Sequence, residues 1–231
     1  MKMKMTPHNS QVIYFREFLR RCLRIFDWES SRDREYNFAR RNIVGNKRNV
    51  LDVGGCESIL PLQLAKKGFN VTVVDFRDYP KNYLNINSIK GDFLRTSFTD
   101  YSFDYVVLIS TIEHIGFGSY GAPIYEDGDL LAMDKAKRVV KPNGKIIITF
   151  PFVGKHQIIP GFERWYDIER VKLLFEGLYI LSEEYYIPDR RLFGRWVNFA
   201  PASLEQMSYI IGNKGGYQGC ACYVVSPSPS A

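Results

Sequence analysis

Apolar residues recur at helical spacing in the first part of the chain. Between positions 11 and 26 they stand three or four residues apart, at Val12, Phe15, Leu19, Leu23 and Phe26. This period places them along one face of a helix. We therefore expect an amphipathic helix from Gln11 to Phe26 and a second helix from Arg34 to Ile43.

Beyond position 45 the pattern changes to short apolar runs that alternate with helical stretches. The first three predicted elements are a strand at Asn49–Val53, a helix at Leu60–Lys67 and a strand at Asn70–Asp75. This order is typical of a βαβ unit, in which the two strands lie parallel and the crossover is right-handed. The chain is therefore expected to form an α/β domain.

The alternation continues through the second half of the chain. Further strands are expected near Ile89 and at Tyr105–Ile109, Lys145–Phe150, 179–181 and 222–225, with helices at about 129–140 and 167–176. Proline and glycine in the segment Lys141–Gly144 are expected to stop the first of these helices and to turn the chain. Asp167 is expected to cap the second. Residues 187–219 show no clear period, so no element is predicted there.

The length of 231 residues and the hydrophobic content of 45% allow one sizeable core,. We expect a helical N-terminal extension over residues 1–45, one α/β domain over 46–225, and a disordered tail over 226–231. The start of the chain lacks the apolar segment of a secretory signal, and no apolar run reaches the ~20 residues that cross a bilayer. These features predict a cytoplasmic protein without membrane insertion and leave its oligomeric state open.

A net charge of +6 accompanies an arginine-rich stretch between Arg16 and Arg48. Such a cluster permits an anionic partner such as nucleic acid. Acidic residues, Asp33 and Glu35 among them, are interspersed with the arginines, which favours a solvated helical face over a dedicated anion site. The four cysteines lack the paired spacing of a zinc site, and no metal site is predicted.

The strongest local feature is an apolar strand that runs into two glycines, Gly54 and Gly55. Glycine lets the backbone turn sharply and lets a ligand approach closely, so this junction suits nucleotide binding at the carboxyl edge of a sheet. Asp75 ends the next strand, where a carboxylate can accept hydrogen bonds from ribose hydroxyls. A tight turn without ligand and a solvated strand end remain open for these residues. The segment from Gly54 to Ile59 lacks the later glycines of the G-x-G-x-x-G pattern that a nicotinamide site prefers.

This segment resembles the first motif of the class I S-adenosylmethionine-dependent methyltransferases, with Asp52 before the glycine loop. Other segments resemble the family's motifs in chain order: the ribose-binding acid at Asp75, the adenine-contacting segment at Gly91–Phe93, the start of strand four at Phe103–Tyr105, the Glu-His motif at Ser110–His114 and the turn into strand five at Arg138–Gly144. The resemblance covers about Val50 to Phe150. It implies a Rossmann-like class I methyltransferase fold, with a mainly parallel central sheet, helices on both faces and a C-terminal antiparallel strand.

The resemblance also implies S-adenosyl-L-methionine as the cofactor and a methyl transfer that releases S-adenosylhomocysteine. The residues that it places at the cofactor are Asp52, Gly54, Gly55, Cys56, Asp75, Phe76, Asp92, Phe93, Ser110 and Thr111. Cys56 and Ser58 depart from the family, which usually has glycine at these two positions.

His114 is the candidate general base. Methyl transfer to a hydroxyl needs an aligned acceptor and the removal of a proton, and imidazole groups exchange protons near neutral pH. His114 follows strand four at the carboxyl edge of the sheet, where Glu113 or a nearby carboxylate could orient its ring. A structural role in the loop under the cofactor is an equal alternative for His114.

A narrower resemblance concerns the acceptor. The segments Glu113–Gly121, Glu126–Asp129 and Arg164–Asp167 are similar to a branch of methyltransferases associated with polysaccharide or glycan synthesis. This implies O-methylation of a sugar or glycan intermediate, with a small-molecule or glycan acceptor. The candidate acceptor residues are Tyr120, Asp127, Asp129, Trp165 and Tyr166. The plainer alternatives are a helix N-cap for either aspartate and a core position for the aromatic residues.

Two further functions stay open. An RNA or other nucleic-acid methyltransferase would suit the positive charge, but Ser110–Glu113 stands where base-amino methyltransferases carry an Asn/Asp-Pro-Pro-aromatic tetrapeptide. The other is a non-catalytic nucleoside-binding protein of the same fold, which only Cys56 and Ser58 favour. A nicotinamide oxidoreductase is the least favoured alternative.

Overall fold

The structure is a computed structural model that describes residues 18, 29–80, 83–118, 121–192, 195–212 and 218–229. Of the predicted helix at 11–26, only the helical residue Phe18 belongs to this part of the chain. The acceptor candidate Tyr120 also lies outside the described residues.

The described elements alternate between helix and strand as predicted. In chain order they are α1 (Ser31–Asn42), β1 (Asn49–Val53), α2 (Leu60–Lys66), β2 (Asn70–Asp75), β3 (Ile86–Lys90), β4 (Phe103–Ile109), α3 (Gly128–Val139), β5 (Val140–Phe152), β6 (Gln157–Ile159), β7 (Glu163–Trp165), α4 (Ile168–Leu174), β8 (Tyr179–Leu192), β9 (Arg195–Ala202), α5 (Leu204–Ser208) and β10 (Gly219–Ser226). Single turns of 3₁₀-helix follow β1 at Gly55–Glu57 and β4 at Ile112–His114.

Eight of these strands form one sheet in the order β3-β2-β1-β4-β5-β10-β8-β9. The first five pair in parallel, whereas β10 runs antiparallel to both β5 and β8. This confirms the predicted fold, including its antiparallel C-terminal strand. The strand order reverses between β1 and β4, and open sheets of this kind bind ligands beside the carboxyl ends of the strands at such a point.

Two hydrophobic cores cover the two faces of the sheet. Because side chains alternate along a strand, Val106 of β4 packs with α3 and α4, whereas its neighbour Val107 packs with α1 and α2. The helices on both faces are therefore as predicted. Among the described residues, no helix is long and apolar enough to span a membrane.

Several boundaries differ from the predictions. α1 begins at Ser31 because Ser30 and Asp33 form a capping box,, and Asp167 caps α4 as expected by accepting a hydrogen bond from the backbone N–H of Arg170 (2.9 Å). As predicted, α3 ends just before the segment Lys141–Gly144. This segment lies within the bounds of β5, where its four residues stand opposite the single β4 residue Asp104 as a register shift.

Residues 187–219, where no element is predicted, contain the end of β8, all of β9 and α5. The β8–β9 pairing shifts register between Pro188 and Arg191, and such bulges break the alternation that marks a strand. β10 extends to Ser226, which is buried and donates its hydroxyl to the carbonyl oxygen of Gly144 (2.9 Å). Ser226 therefore belongs to β10 and not to the predicted tail.

Candidate functional site

A cavity of about 270 Å³ opens at the carboxyl ends of β1, β2 and β4, the position that the strand order favours,. Nine of the ten residues predicted at the cofactor line this central cavity: Asp52, Gly54, Gly55, Asp75, Phe76, Asp92, Phe93, Ser110 and Thr111. The tenth, Cys56, is fully buried and does not line it. His114 also lines the cavity.

The two glycines keep the floor of the central cavity open. Gly54 has a left-handed backbone with φ of +75°, and a Cβ there would lie 2.6 Å from atoms of Thr111. A Cβ on Gly55 would lie 2.7 Å from the carboxyl carbon of Asp52. Neither distance is possible for a real side chain, so this turn needs glycine at both positions.

Asp52 carries a buried polar atom that has no partner. Its side chain is 2% exposed, and its Oδ2 has no hydrogen-bond partner among the described residues. Burial, and then repulsion from Asp75, raise the pKa of Asp52 to about 8,. Because an unpaired buried carboxyl group is costly, this arrangement fits a ligand that brings a cationic or hydrogen-bonding group to Asp52.

Asp75 joins the glycine loop to the end of β2. Its Oδ2 accepts a hydrogen bond from the backbone N–H of Cys56 (3.2 Å), and its Oδ1 accepts from the backbone N–H of Arg77 (3.0 Å). The Arg77 guanidinium also contacts Glu57, with 2.6 Å between Nη1 and Oε1. The departure at Cys56 is thus accommodated: burial and then Asp75 raise the pKa of its thiol to about 12, so it stays neutral.

Asp92 meets a loop that crosses the central cavity. Its Oδ1 accepts a hydrogen bond from the backbone N–H of Leu94 (2.9 Å), and its Oδ2 accepts one from the Tyr125 hydroxyl (3.2 Å). Ala122 and Pro123 of the same loop also line the cavity. The loop before α3 is therefore fixed to the predicted adenine-binding residue.

The ring of His114 is held by a backbone carbonyl. Its Nδ1 lies 2.8 Å from the carbonyl oxygen of Phe162, between β6 and β7. A carbonyl oxygen can only accept, so Nδ1 carries the proton and Nε2 is the basic atom of the neutral ring. Nε2 lies 3.9 Å from Oε2 of Glu163 and 4.0 Å from Oε1 of Glu113.

Glu113 does not orient His114 by a hydrogen bond, and it does not line the central cavity. It is 2% exposed, and its Oε2 has no partner among the described residues. Burial is the main reason that the pKa of Glu113 lies well above its usual range, and Glu35 and Glu163 add to it. The orienting role predicted for Glu113 or a nearby carboxylate therefore belongs to the Phe162 carbonyl.

Asp127 and Asp129 lie in an ion-pair cluster and not in the lining of the central cavity. Asp129 is fully buried, and its Oδ1 lies 2.6 Å from both Arg164 Nη1 and Arg170 Nη2. Asp127 occupies the N-cap position of α3 without a side-chain capping bond and contacts Arg170 instead (2.8 Å). These contacts use the charge of Asp129 within the protein, where it joins α3 to α4, and the acceptor role of the two aspartates stays a prediction.

The predicted aromatic acceptor residues belong to the core. Trp165 is 4% exposed and donates its indole N–H to Oε1 of Glu163 (2.6 Å). Tyr166 is fully buried, with its ring centroid 4.4 Å from that of Phe150. Since neither side chain reaches the central cavity, the plainer alternative, a core position, describes both.

The sequence prediction missed the contribution of α1. Arg32 and Tyr36 line the central cavity, and Glu35 lies beneath them with 2% exposure. Glu35 accepts hydrogen bonds from the hydroxyls of Ser110 and Thr149. The interpretation of this stretch as a solvated face is therefore wrong for Glu35. The only signal was the spacing of Arg32 and Tyr36, four residues apart on one helix face.

No group of three or more His, Cys, Asp or Glu side chains in the described part of the chain is placed to hold a metal ion. Cys220 and Cys222 are free thiols on one face of β10, 3.9 Å apart at sulfur.

Similarity to known proteins agrees with this geometry. The chain is 29% identical over 112 residues to the ubiquinone biosynthesis O-methyltransferase of Rickettsia akari (strain Hartford), covering 45% of this chain and 40% of that protein. It is 31% identical over 112 residues to the demethylmenaquinone methyltransferase of Staphylococcus haemolyticus (strain JCSC1435), covering 48% and 41%. The chain thus spans about two fifths of the length of these curated relatives.

A solved structure shows the fold over nearly the whole chain. The Burkholderia thailandensis 1,6-didemethyltoxoflavin-N1-methyltransferase, with bound 1,6-didemethyltoxoflavin and S-adenosylhomocysteine, superposes with a TM-score of 0.60 at 11% identity, covering 99% of this chain and 93% of that chain. The chain therefore has the Rossmann-like methyltransferase fold. A family model matches residues 54–186, which is more than half of the chain, so the chain belongs to the family described as Caenorhabditis protein of unknown function, DUF268.

Proposed function

We propose that this protein is an S-adenosylmethionine-dependent methyltransferase that methylates a hydroxyl group, with a sugar or glycan intermediate as the first choice of acceptor. The observation that carries the proposal is the central cavity, which opens where the strand order reverses between β1 and β4. There, a buried carboxyl oxygen of Asp52 without a partner lies next to a glycine turn that leaves no room for a Cβ. The methyltransferase names of the curated relatives support the same activity.

The residues of the central cavity fit this cofactor. Asp52 offers its free oxygen to a cationic group, the turn at Gly54 and Gly55 leaves room for close approach, and Asp75 and Asp92 offer carboxylates to a nucleoside. When bound, S-adenosylmethionine supplies a methyl group on a positively charged sulfur.

His114 would remove the proton of the acceptor hydroxyl. The carbonyl of Phe162 fixes the tautomer in which Nε2 is unprotonated, and a positioned imidazole of this kind contributes about 10²–10⁴-fold to a proton transfer. The Glu163 carboxylate, 3.9 Å from Nε2, would stabilise the imidazolium that forms. A hydroxyl acceptor needs this base, which is why we favour O-methylation.

The nucleic-acid alternative receives little support from the described arginines. Arg34 of α1 pairs with Glu29, and Arg41 pairs with Glu184 at 2.7 Å, so part of the positive charge is neutralised within the fold. RNA binding measured at low salt tests this alternative, because phosphate contacts are strongest there.

Calorimetric titration with S-adenosylmethionine, S-adenosylhomocysteine and NAD tests the cofactor. We expect both sulfur nucleosides to bind the wild type and to bind Asp75→Ala more weakly, whereas NAD should not bind. Transfer of a labelled methyl group to sugar and sugar-nucleotide acceptors then tests the reaction. A folded protein that binds neither sulfur nucleoside would refute the methyltransferase proposal and favour the nicotinamide or scaffold alternative.

Binding without transfer to any sugar, phenol or RNA acceptor would instead favour the non-catalytic nucleoside-binding protein. Transfer to phenols or RNA but to no sugar would keep the activity and refute the sugar acceptor.

A further inference from the structure

Within the described part of the chain, two arginines line the central cavity, and they differ in the contacts that their guanidinium groups make. The guanidinium of Arg77 contacts two carboxylates, with 3.3 Å to Asp75 and 2.6 Å to Glu57. Arg32 donates from Nη1 to the carbonyl oxygen of Ile109 (3.2 Å), and its Nε lies 3.5 Å from Oε2 of Glu35. Arg77 thus links Asp75 to Glu57 of the glycine loop, whereas some N–H donors of Arg32 make no contact with the described residues.

Arg32 keeps donors that reach no acceptor among the described residues. A guanidinium has five N–H donors, and the contacts of Arg32 use Nη1 and Nε, leaving Nη2 without a protein acceptor in the described chain. The side chain is 34% exposed, so a ligand in the cavity can reach it. A guanidinium with unused N–H donors is suited to a carboxylate or phosphate, whose oxygens accept charge-assisted hydrogen bonds.

Neighbouring side chains of α1 hold the guanidinium of Arg32 in place. Its partner Glu35 is buried and is itself held by the hydroxyls of Ser110 and Thr149. The ring of Tyr36 lies 5.8 Å from the guanidinium carbon. A cation that is oriented before the ligand arrives loses less side-chain freedom on binding.

The acids closest to Arg32 do not all cancel its charge. Burial raises the pKa of Asp52 to about 8 and that of Glu113 well above its usual range. The Asp52 carboxyl group is therefore mainly neutral at pH 7 in the ligand-free protein, and Glu35 is the acid that Arg32 contacts directly. Glu35 also accepts hydrogen bonds from two hydroxyl groups, and the Nη2 donors of Arg32 remain available to an anion.

We propose that Arg32 is an anion-binding residue of the central cavity, and that it takes a carboxylate or phosphate group carried by a ligand of the methyl-transfer reaction. This inference rests on the proposed function for the identity of the ligand. Two sources offer this chemistry, the amino-acid end of the cofactor and an acidic methyl acceptor. They can be separated because 5′-methylthioadenosine shares the nucleoside of S-adenosylhomocysteine but lacks its amino-acid end.

Calorimetry on wild type, Arg32→Gln and Arg32→Lys tests the inference. Arg41→Gln is the matched control, since it removes one charge from the same helix at a site that does not line the cavity. If the cofactor supplies the anion, Arg32→Gln should weaken S-adenosylhomocysteine about 10- to 100-fold, as expected for a charged hydrogen bond, and change methylthioadenosine less than twofold. Arg32→Lys should recover part of the affinity, because it keeps the charge and loses the fork.

If the acceptor supplies the anion, inorganic phosphate should bind the wild type saturated with S-adenosylhomocysteine and not bind Arg32→Gln under the same conditions. The inference is overturned if Arg32→Gln, folded by circular dichroism, matches Arg41→Gln for all three ligands. A wild type that binds phosphate through Arg32 but neither nucleoside would support the anion site and refute the proposed function, which keeps the two failures distinct.

Discussion

The protonation of Asp52 gives the sharpest prediction about the central cavity. In the ligand-free protein, burial and the neighbouring Asp75 raise its pKa to about 8, so about nine tenths of the molecules hold the Asp52 proton at pH 7. A ligand with an ammonium group favours the ionised carboxylate and lowers this pKa in the complex. Binding of S-adenosylhomocysteine at pH 7 should therefore release about 0.9 protons.

The affinity should follow the same linkage. Below pH 8 the ligand must displace a proton, so the association constant should rise about tenfold for each pH unit between pH 6 and 7.5 and level off above pH 8. Calorimetry in buffers that differ in ionisation enthalpy gives the number of protons released. Methylthioadenosine, which lacks the ammonium group, should release none.

Asp52→Asn should abolish the proton release, because the amide does not titrate in this range. The control Asp78→Asn, at an exposed aspartate that pairs with Lys90, should behave as the wild type. A proton release near zero for wild-type protein with S-adenosylhomocysteine, together with an affinity that does not change from pH 6 to 8, would refute the reasoning.

Three further substitutions test other parts of the structure. His114→Asn should lower methyl transfer to a hydroxyl acceptor about 10²–10⁴-fold and leave S-adenosylhomocysteine binding within a few-fold; unchanged turnover would assign His114 to structure only. Gly54→Ala forces a side chain into a left-handed turn against Thr111. It should lower the free energy of unfolding by about 1–3 kcal/mol and weaken cofactor binding in calorimetry. Wild-type values for both would contradict the role of the glycine turn. Asp129→Asn leaves two arginines at a buried site without their carboxylate and should cost about 3–5 kcal/mol in urea unfolding, whereas a loss of acceptor affinity with normal stability would restore Asp129 as an acceptor residue.

The features that the sequence predicted well are local. β1 and β2 have the predicted bounds, because each is an apolar run that ends in a polar or glycine residue at the sheet edge. The predicted cofactor residues follow those strand ends directly, so a correct parallel sheet brings them together without further information. Nine of the ten consequently line one cavity.

The features that it missed depend on packing between distant segments. The burial of Glu35 is set by Ser110, 75 positions later, and by Thr149, 114 positions later, and nothing in the periodicity of α1 distinguishes a buried acid from a solvated one. The group that orients His114 is a backbone carbonyl, which has no side-chain signature at all. Asp129 is of a residue type that often binds ligands, and only its contacts with Arg164 and Arg170 show that its carboxylate is paired within the protein.

Helix α1 therefore contributes to the central cavity. Arg32 of α1 donates to the carbonyl oxygen of Ile109, and Glu35 accepts from Ser110, the next residue, which has a left-handed backbone with φ of +43°. A non-glycine residue in this conformation is strained and persists only where its surroundings hold it. Ser110 lies two residues before the turn Ile112–His114, so α1 both places Arg32 in the cavity and contacts the segment that leads to His114. One buried side chain, Glu35, thus contacts both the proposed anion-binding residue Arg32 and Ser110, which precedes the segment of the proposed base His114.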